Sequence, residues 1–239
     1  MSKLGFCSRS QAFELIREGK VRLNGTIPQN PSTPVLPGVD RIEVAGQRVG
    51  AAEKVYLMMN KPRGIVTTAS DEKGRDTVYS LLPQGLEWIA PVGRLDKASE
   101  GLLLLTNDSE WAARITDPET HLDKTYHVRV GAVATEALLE KLRHGVEMEK
   151  GKMLRAKRAE VVRVGEKNSW IEIVLDEGKN RQIRRMFDGL GMEILRLIRV
   201  SIGPLPLGDL AKGKTRRIVP TEVAALTRAC GAKHAAPGR

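Results

Sequence analysis

Three groups of residues have types and spacings that can do chemistry. The segment Pro91-Val92-Gly93-Arg94-Leu95-Asp96-Lys97-Ala98-Ser99-Glu100-Gly101 sets a carboxylate among cations, with apolar residues on either side. A polar loop squeezed between core strands suits a reacting group held on a rigid scaffold. Asp96 can serve there as a nucleophile whose charge a neighbouring cation balances; the plainer alternative is that Asp96 or Ser99 only caps the turn. In the second group, Asp176 to Met186, the residues Lys179, Arg181, Arg184 and Arg185 crowd the predicted first turns of a helix. Cations at that end oppose the helix dipole by about 0.3 kcal/mol or more each. Phosphates or a carboxylate partner would offset this, and a solvated basic face is the alternative. The third group lies near the start, where Arg9, Arg17, Lys20 and Arg22 surround a helix whose first turn, with Ser8 and Ser10, can hold a phosphate through backbone N–H groups. Ordinary surface charge would look the same.

Composition narrows the chemistry. Lys and Arg number 39 against 29 Asp and Glu in 239 residues, giving a formal charge of +10 and a pI near 9.8. That surplus favours a polyanionic partner, because each neutralised phosphate releases condensed counterions; a basic protein without such a partner is the alternative. Cys7 and Cys230 are far apart and suggest no disulfide framework, as in a reducing cytosol. His121, His127, His144 and His234 show no metal-ligand spacing. The chain carries neither a phosphate-binding glycine loop nor a dinucleotide fingerprint, and no apolar run near the roughly 20 residues needed to span a bilayer. The expectation is chemistry by side chains alone, without cofactor or metal, in a cytoplasmic protein that is a monomer by default.

The elements that must position these residues divide the chain. Residues 10–17 form a short helix with Ala12, Phe13, Leu15 and Ile16 on its apolar side, capped by Ser8 or Ser10 and stopped near Gly19. Val21 to Leu23 is a strand entering an Asn24-Gly25 turn. Pro28, Pro31, Pro34 and Pro37 space an extended loop before a strand at 40–44, and 45–53 reads as a linker. This gives a small head over residues 1–50, a catalytic domain over 54–226 and a flexible tail over 227–239. In the larger unit, strands are expected at Val55 to Asn60, at Leu102 to Leu105 (buried on both faces), at Tyr126 to Val130 and at Ile171 to Leu175. Helices are expected at 108–115, 135–143 and 181–190, the last with Ile183, Met186, Phe187 and Leu190 on one face, Asn180 as its cap and Gly191 near its end. Strands and helices without regular βαβ spacing predict an α+β protein on a mainly antiparallel sheet.

The assembled segments resemble the bacterial ribosomal-RNA pseudouridine synthases of the RsuA/RluB-like group over roughly residues 2–226. The carriers are L-G-F-C-S-R-S-Q-A at 4–12, N-K-P-R-G at 60–64, V-G-R-L-D at 92–96, S-E-G-L-L-L-L-T-N-D at 99–108, K-T-Y at 124–126, E-G-K-N-R-Q-I-R-R-M at 177–186 and L-I-R-V at 197–200. The head resembles the RNA-binding domain named after small-subunit ribosomal protein S-four, with its first helix truncated. The resemblance implies that Asp96 is the essential aspartate, that Tyr126 stacks on the target base and can accept a proton, and that Arg184 pairs with the aspartate. Arg94, Lys179, Arg181 and Arg185, with Ser8, Arg9, Ser10, Arg17 and Lys20 of the head, are expected to hold RNA. The partner implied is ribosomal RNA or a pre-ribosomal particle, and the resemblance at 197–220 leans toward the large subunit.

Two rival readings remain. A non-catalytic RNA-binding assembly protein explains the charge but leaves the cramped aspartate without a purpose. A glycoside hydrolase pairing Asp96 with Glu100 explains the carboxylates but not the basic helix, and nine aromatic residues offer little sugar platform.

Overall fold

The computed structural model describes residues 1–36, 38–68, 74–86, 88–148 and 151–231. In the head, residues 2–4 make one 3₁₀ turn, followed by α1 (Arg9–Arg17), β1 (Val21–Leu23), β2 (Ile42–Val44) and β3 (Gln47–Arg48). Ser8 caps α1 reciprocally: its Oγ accepts from Gln11 N at 3.1 Å, and Gln11 Oε1 accepts from Ser8 N at 3.0 Å. After β1 the chain reverses at Asn24-Gly25, both with positive φ (51° and 85°), a geometry that glycine and asparagine adopt at low cost. Val21, Ile42 and Val49 form the head core, with Leu15 and Ile16 of α1 packed on it.

Two expectations for the head need correction. Phe13 does not join the apolar side of α1; it is 49% exposed, because Leu15 and Ile16 occupy the face that meets the sheet. The first half of the 45–53 linker is structure, since Gln47 and Arg48 pair with Val44 and Glu43 and Val49 is buried. Pro37 lies outside the described residues.

The larger unit continues with β4 (Tyr56–Lys61), β5 (Ala90–Val92), β6 (Glu100–Thr106), α2 (Ser109–Thr116), β7 (Lys124–Val130), α3 (Glu136–His144), the short β8 (Val146–Glu147) and β9 (Met153–Leu154), then β10 (Arg158–Val164) and β11 (Ser169–Leu175). It closes with α4 (Gln182–Gly189), β12 (Ile194–Ile202), β13 (Leu205–Pro206), β14 (Thr215–Arg217) and α5 (Pro220–Gly231). Among the described residues, nine of these strands form one sheet in the order β10-β11-β7-β12-β6-β4-β14, with β13 on β12 and β5 on β6. Every pairing is antiparallel except one, β12 with β6, where Ile198 and Arg199 meet Glu100 and Gly101. The architecture is therefore α+β with a mainly antiparallel mixed sheet.

Burial explains these elements. Leu102 to Leu105 have no exposed surface: Leu102 and Leu104 face α2 and α5, while Leu103 and Leu105 face the opposite cluster with Val78, Ile89 and Leu95. Full burial of each such side chain contributes about 1.5–3 kcal/mol. Strand β4 is likewise covered on both sides, so Met58 is as buried as Leu57 and Met59 and its alternation is not an inside–outside pattern. Asp108 and Thr135 cap α2 and α3 through their side chains.

The expected tail boundary also moves. Helix α5 carries ordered structure to Gly231, with Leu226 buried and Thr227 Oγ1 accepting from Trp111 Nε1 at 3.1 Å. The remainder, 232–239, lies outside the described residues.

Candidate active site

The loop between β5 and β6 holds Asp96 at the wall of a cleft of about 630 Å³, within the range of about 300–1,000 Å³ usual for small-molecule and cofactor sites. Each carbonyl from Leu95 to Ser99 accepts a hydrogen bond. Thr67 Oγ1 donates to Leu95 O (2.9 Å), Ser99 N to Asp96 O (2.9 Å), Gly64 N to Lys97 O (2.8 Å) and Arg184 Nη2 to Ala98 O (3.0 Å). The Lys61 ammonium, fully buried, donates to Asp96 O at 3.1 Å, Ser99 O at 2.9 Å and Pro62 O at 3.1 Å. Burial pulls this lysine down to about 8, against the opposing pull of the Asp96 and Glu100 charges. A loop tied at five consecutive carbonyls has little freedom, and the aspartate is fixed before any ligand arrives.

Helix α4 supplies the cations. Arg181 Nη1 donates to Asp96 Oδ2 at 3.4 Å, and Arg184 Nε stands 3.7 Å from the same oxygen. Arg184 is anchored through Nη2, which also reaches Ser99 Oγ at 3.2 Å; its Nε is buried with no hydrogen-bond acceptor among the described residues. Burial first, and Arg181 second, lower the Arg184 guanidinium from its ordinary value.

The helix begins differently from expectation. Asn180 is not its cap; Arg181 holds that position with φ of 48° and ψ of 33°, without a side-chain cap. This left-handed conformation is uncommon for a residue with a Cβ. It places Arg181 ahead of the first helical turn, where the Asp96 carboxylate offsets the unfavourable meeting of its charge with the positive end of the helix dipole. Gln182 is buried, with Nε2 bonded to Glu177 Oε1 and Arg155 O, which ties the preceding loop to the helix.

Tyr126, half-buried, also lines the cleft and packs against both neighbouring cores, while Val128 and Val130 on its face are fully buried. The structure thus brings Asp96, Tyr126, Arg184, Arg94, Lys179 and Arg181 to one cleft. Lys179 is paired with Glu177 at 2.8 Å. Arg185, half-buried on α4, is not among the cleft residues. In the head, Arg9, Ser10, Arg17 and Lys20 are exposed, the last two beside Glu14 and Glu18; Ser8 is committed to capping α1.

Several contributors carried no assigned role in the sequence. Lys61, Lys124 and Arg199 sit in matched segments, yet only strand geometry reveals what they face. Arg199 had one visible signal, a charge inside the apolar run Leu197-Ile198-Arg199-Val200. Glu100 is not the second carboxylate of a hydrolase. Its side chain is 4% exposed and held by Arg196 (2.8 and 2.9 Å) and Lys212 (2.6 Å), and it does not line the cleft. Among the described residues no group of three His, Cys, Asp or Glu side chains could hold a metal ion.

A preorganised aspartate in a cleft rimmed by cations, beside a small basic head, describes an enzyme acting on an anionic polymer. The chain belongs to the RNA pseudouridylate synthases, isomerases acting on RNA: that family matches residues 55–188, and the S4 domain family matches residues 1–40. It is 41% identical to the ribosomal large subunit pseudouridine synthase B of Bacillus subtilis (strain 168), over 92% of this chain and 90% of that one. A second relative, an uncharacterised RNA pseudouridine synthase of Aquifex aeolicus (strain VF5), is 37% identical over 98% and 94%. A crystal structure of a pseudouridylate synthase superposes with a TM-score of 0.66 at 30% identity, covering 92% of this chain and 94% of that one.

Proposed function

We propose that this protein converts a specific uridine of large-subunit ribosomal RNA to pseudouridine, with Asp96 as its catalytic residue and no cofactor, acting as a monomer in the cytoplasm. The observation that carries the reading is the Asp96 carboxylate, held by a fully bonded loop and facing Arg181 and Arg184 at the wall of the cleft. The name of the Bacillus relative supports the large subunit. No helix among the described residues is long and apolar enough to cross a membrane.

In this reading the target nucleotide leaves its stack and lies against Tyr126. The carboxylate then promotes cleavage of the bond between N1 and C1′, the uracil turns and rejoins through C5, and the proton lost from C5 is balanced by the one that N1 gains. Attack at C1′, proton removal at C2′ to give a glycal, and addition to C6 are three routes open to that carboxylate. The ring is conserved throughout, so no electrons or cosubstrate need be supplied. Arg181 and Arg184 balance the carboxylate's charge. Arg94, Lys179 and Arg185, with the exposed cations of the head, hold backbone phosphates. The head over 1–50 and the catalytic domain, carried to residue 231 by α5, act as two RNA-contacting units.

The test is pseudouridine mapping by carbodiimide adduct and primer extension, on unmodified small- and large-subunit transcripts, with wild-type protein and Asp96→Asn. One new stop on the large-subunit transcript with wild type alone is the expected result. Turnover by Asp96→Asn refutes the catalytic assignment, and a stop on the small-subunit transcript refutes the choice of RNA.

A further inference from the structure

The cleft contains a second cationic group that the chemistry at Asp96 does not use. Tyr126 of β7 and Arg199 of β12 are direct partners across the antiparallel ladder, so their side chains share one face of the sheet. Lys124 lies two residues before Tyr126 on β7 and shares that face, roughly 7 Å further along the strand. All three line the cleft.

These two cations, unlike Arg184 and Arg196, lack an ion-paired carboxylate among the described residues. Arg184 faces Asp96, and Arg196 is bidentate to Glu100. Neither Lys124 nor Arg199 has a carboxylate within ion-pair distance among the described residues. The acids beside them are turned to other partners: Asp123 binds Lys157 at 2.8 and 2.9 Å, and Asp176 stands 3.8 Å from His121. Arg199 is only 6% exposed; its Nε donates to Leu102 O at 2.7 Å, and its Nη2 is buried with no acceptor among the described residues. Burial, followed by repulsion from Arg199, lowers the Lys124 ammonium from its ordinary value, against weaker opposing pulls from Asp123, Cys230 and Asp176. Two like charges on one half-buried face, one with an orphan donor, are costly unless an anion joins them.

We propose that Lys124 and Arg199 form a subsite for one backbone phosphate of the RNA, adjoining the nucleotide stacked on Tyr126. The subsite rests on the reading of the cleft as the uridine pocket. Its place two strand residues from Tyr126 means that the base and its flanking phosphate are gripped by the same strand. Lys124 supplies a point charge at the open end, and Arg199 a fixed planar cation at the floor. A nucleotide bound at both points has its ribose drawn across the cleft, between the tyrosine and the cations.

The experiment is a double-mutant cycle between protein and RNA. An RNA fragment spanning the uridine that wild-type protein modifies is made with a single uncharged methylphosphonate at each phosphate within three nucleotides of that uridine. Binding is measured with Asp96→Asn, with Asp96→Asn/Lys124→Gln and with Asp96→Asn/Lys124→Arg. Lys124→Gln should weaken binding of the natural fragment about ten-fold, the scale of a lost charge-assisted hydrogen bond. It should also lower the salt slope by about 0.7–0.9, one phosphate's share. One methylphosphonate should weaken Asp96→Asn by at least that degree, and should cost the Lys124→Gln protein clearly less, the remainder being the Arg199 contact. Lys124→Arg should restore most of the affinity. Losses that multiply at every phosphate, or an unchanged salt slope, overturn the subsite. Failure of the Asp96 reading would appear separately, as turnover of the fragment by Asp96→Asn.

Discussion

Replacing Glu100 by Gln tests whether the ion cluster behind the aspartate loop holds the site together. Both Glu100 oxygens are taken, one by Arg196 Nε and the other by Arg196 Nη2 and Lys212 Nζ, and the side chain is almost wholly buried. The Arg196 hydrogen bonds lead in pulling this carboxyl from 4.5 down to about 2, Lys212 adds to them, and burial opposes. That difference corresponds to about 3 kcal/mol at neutral pH, at 1.36 kcal/mol per unit. Because the folded carboxyl is the more acidic, its contribution is complete well above the unfolded value. It drains away as pH falls from about 5 toward 2. Two-state linkage leaves about 2 kcal/mol at pH 3.5. Urea titrations of wild type and Glu100→Gln between pH 7 and 3 check this. The stability gap should be largest at pH 7 and narrow by about two fifths at pH 3.5. A gap under about 1 kcal/mol at neutral pH, the size of an ordinary exposed pair, would refute the reasoning; so would a gap constant across the range.

Three further outcomes are expected. Gly101→Ala should destabilise the protein by several kcal/mol in urea unfolding, on the order of the most damaging core changes. Gly101 has φ of 102°, and a Cβ there would stand 2.8 Å from Arg199 N and closer still to its carbonyl oxygen; a loss under about 1 kcal/mol would contradict that contact. Lys61→Met removes the donor shared by three carbonyls, and it should lower the single-turnover rate more than it weakens RNA binding; equal losses would mean that the lysine does not hold Asp96 in place. Arg181→Gly relieves the left-handed backbone strain, so stability should hold or rise by about 1 kcal/mol while turnover falls. A parallel fall in stability and turnover would argue against strain at that residue.

Much of the site was legible because it is local. The polar loop between two apolar strands, the amphipathic helix after Asn180 and the inward face of Tyr126 are short-range patterns, and the structure carries each of them. The features that escaped are those that depend on distant partners. Arg181 was expected to meet phosphate because the sequence does not reveal a left-handed residue before the helix, which turns it to Asp96. Phe13 fits a helical stripe as well as Leu15 does, and only the docking of α1 through Leu15 and Ile16 decides which is covered. Lys61 and Arg199 look like ordinary charges until the sheet order places one beneath the aspartate loop and the other opposite Tyr126. Strand order is a long-range property, and no periodicity within a strand encodes its neighbour.

The single parallel contact between β6 and β12 has a consequence for how the protein comes into being. Asp96 and Lys61 belong to the half of the sheet built from β4, β5, β6 and β14, whereas Tyr126, Arg184 and Arg199 belong to or flank the half built from β7, β10, β11 and β12. Among the described residues the ladder between the two halves has two residue pairs, and the cleft lies on that seam. During synthesis the aspartate emerges about a hundred residues before Arg199. Throughout that interval the nascent chain can fold its head but has no complete cleft. The topology therefore delays completion of the cleft until β12 has been delivered.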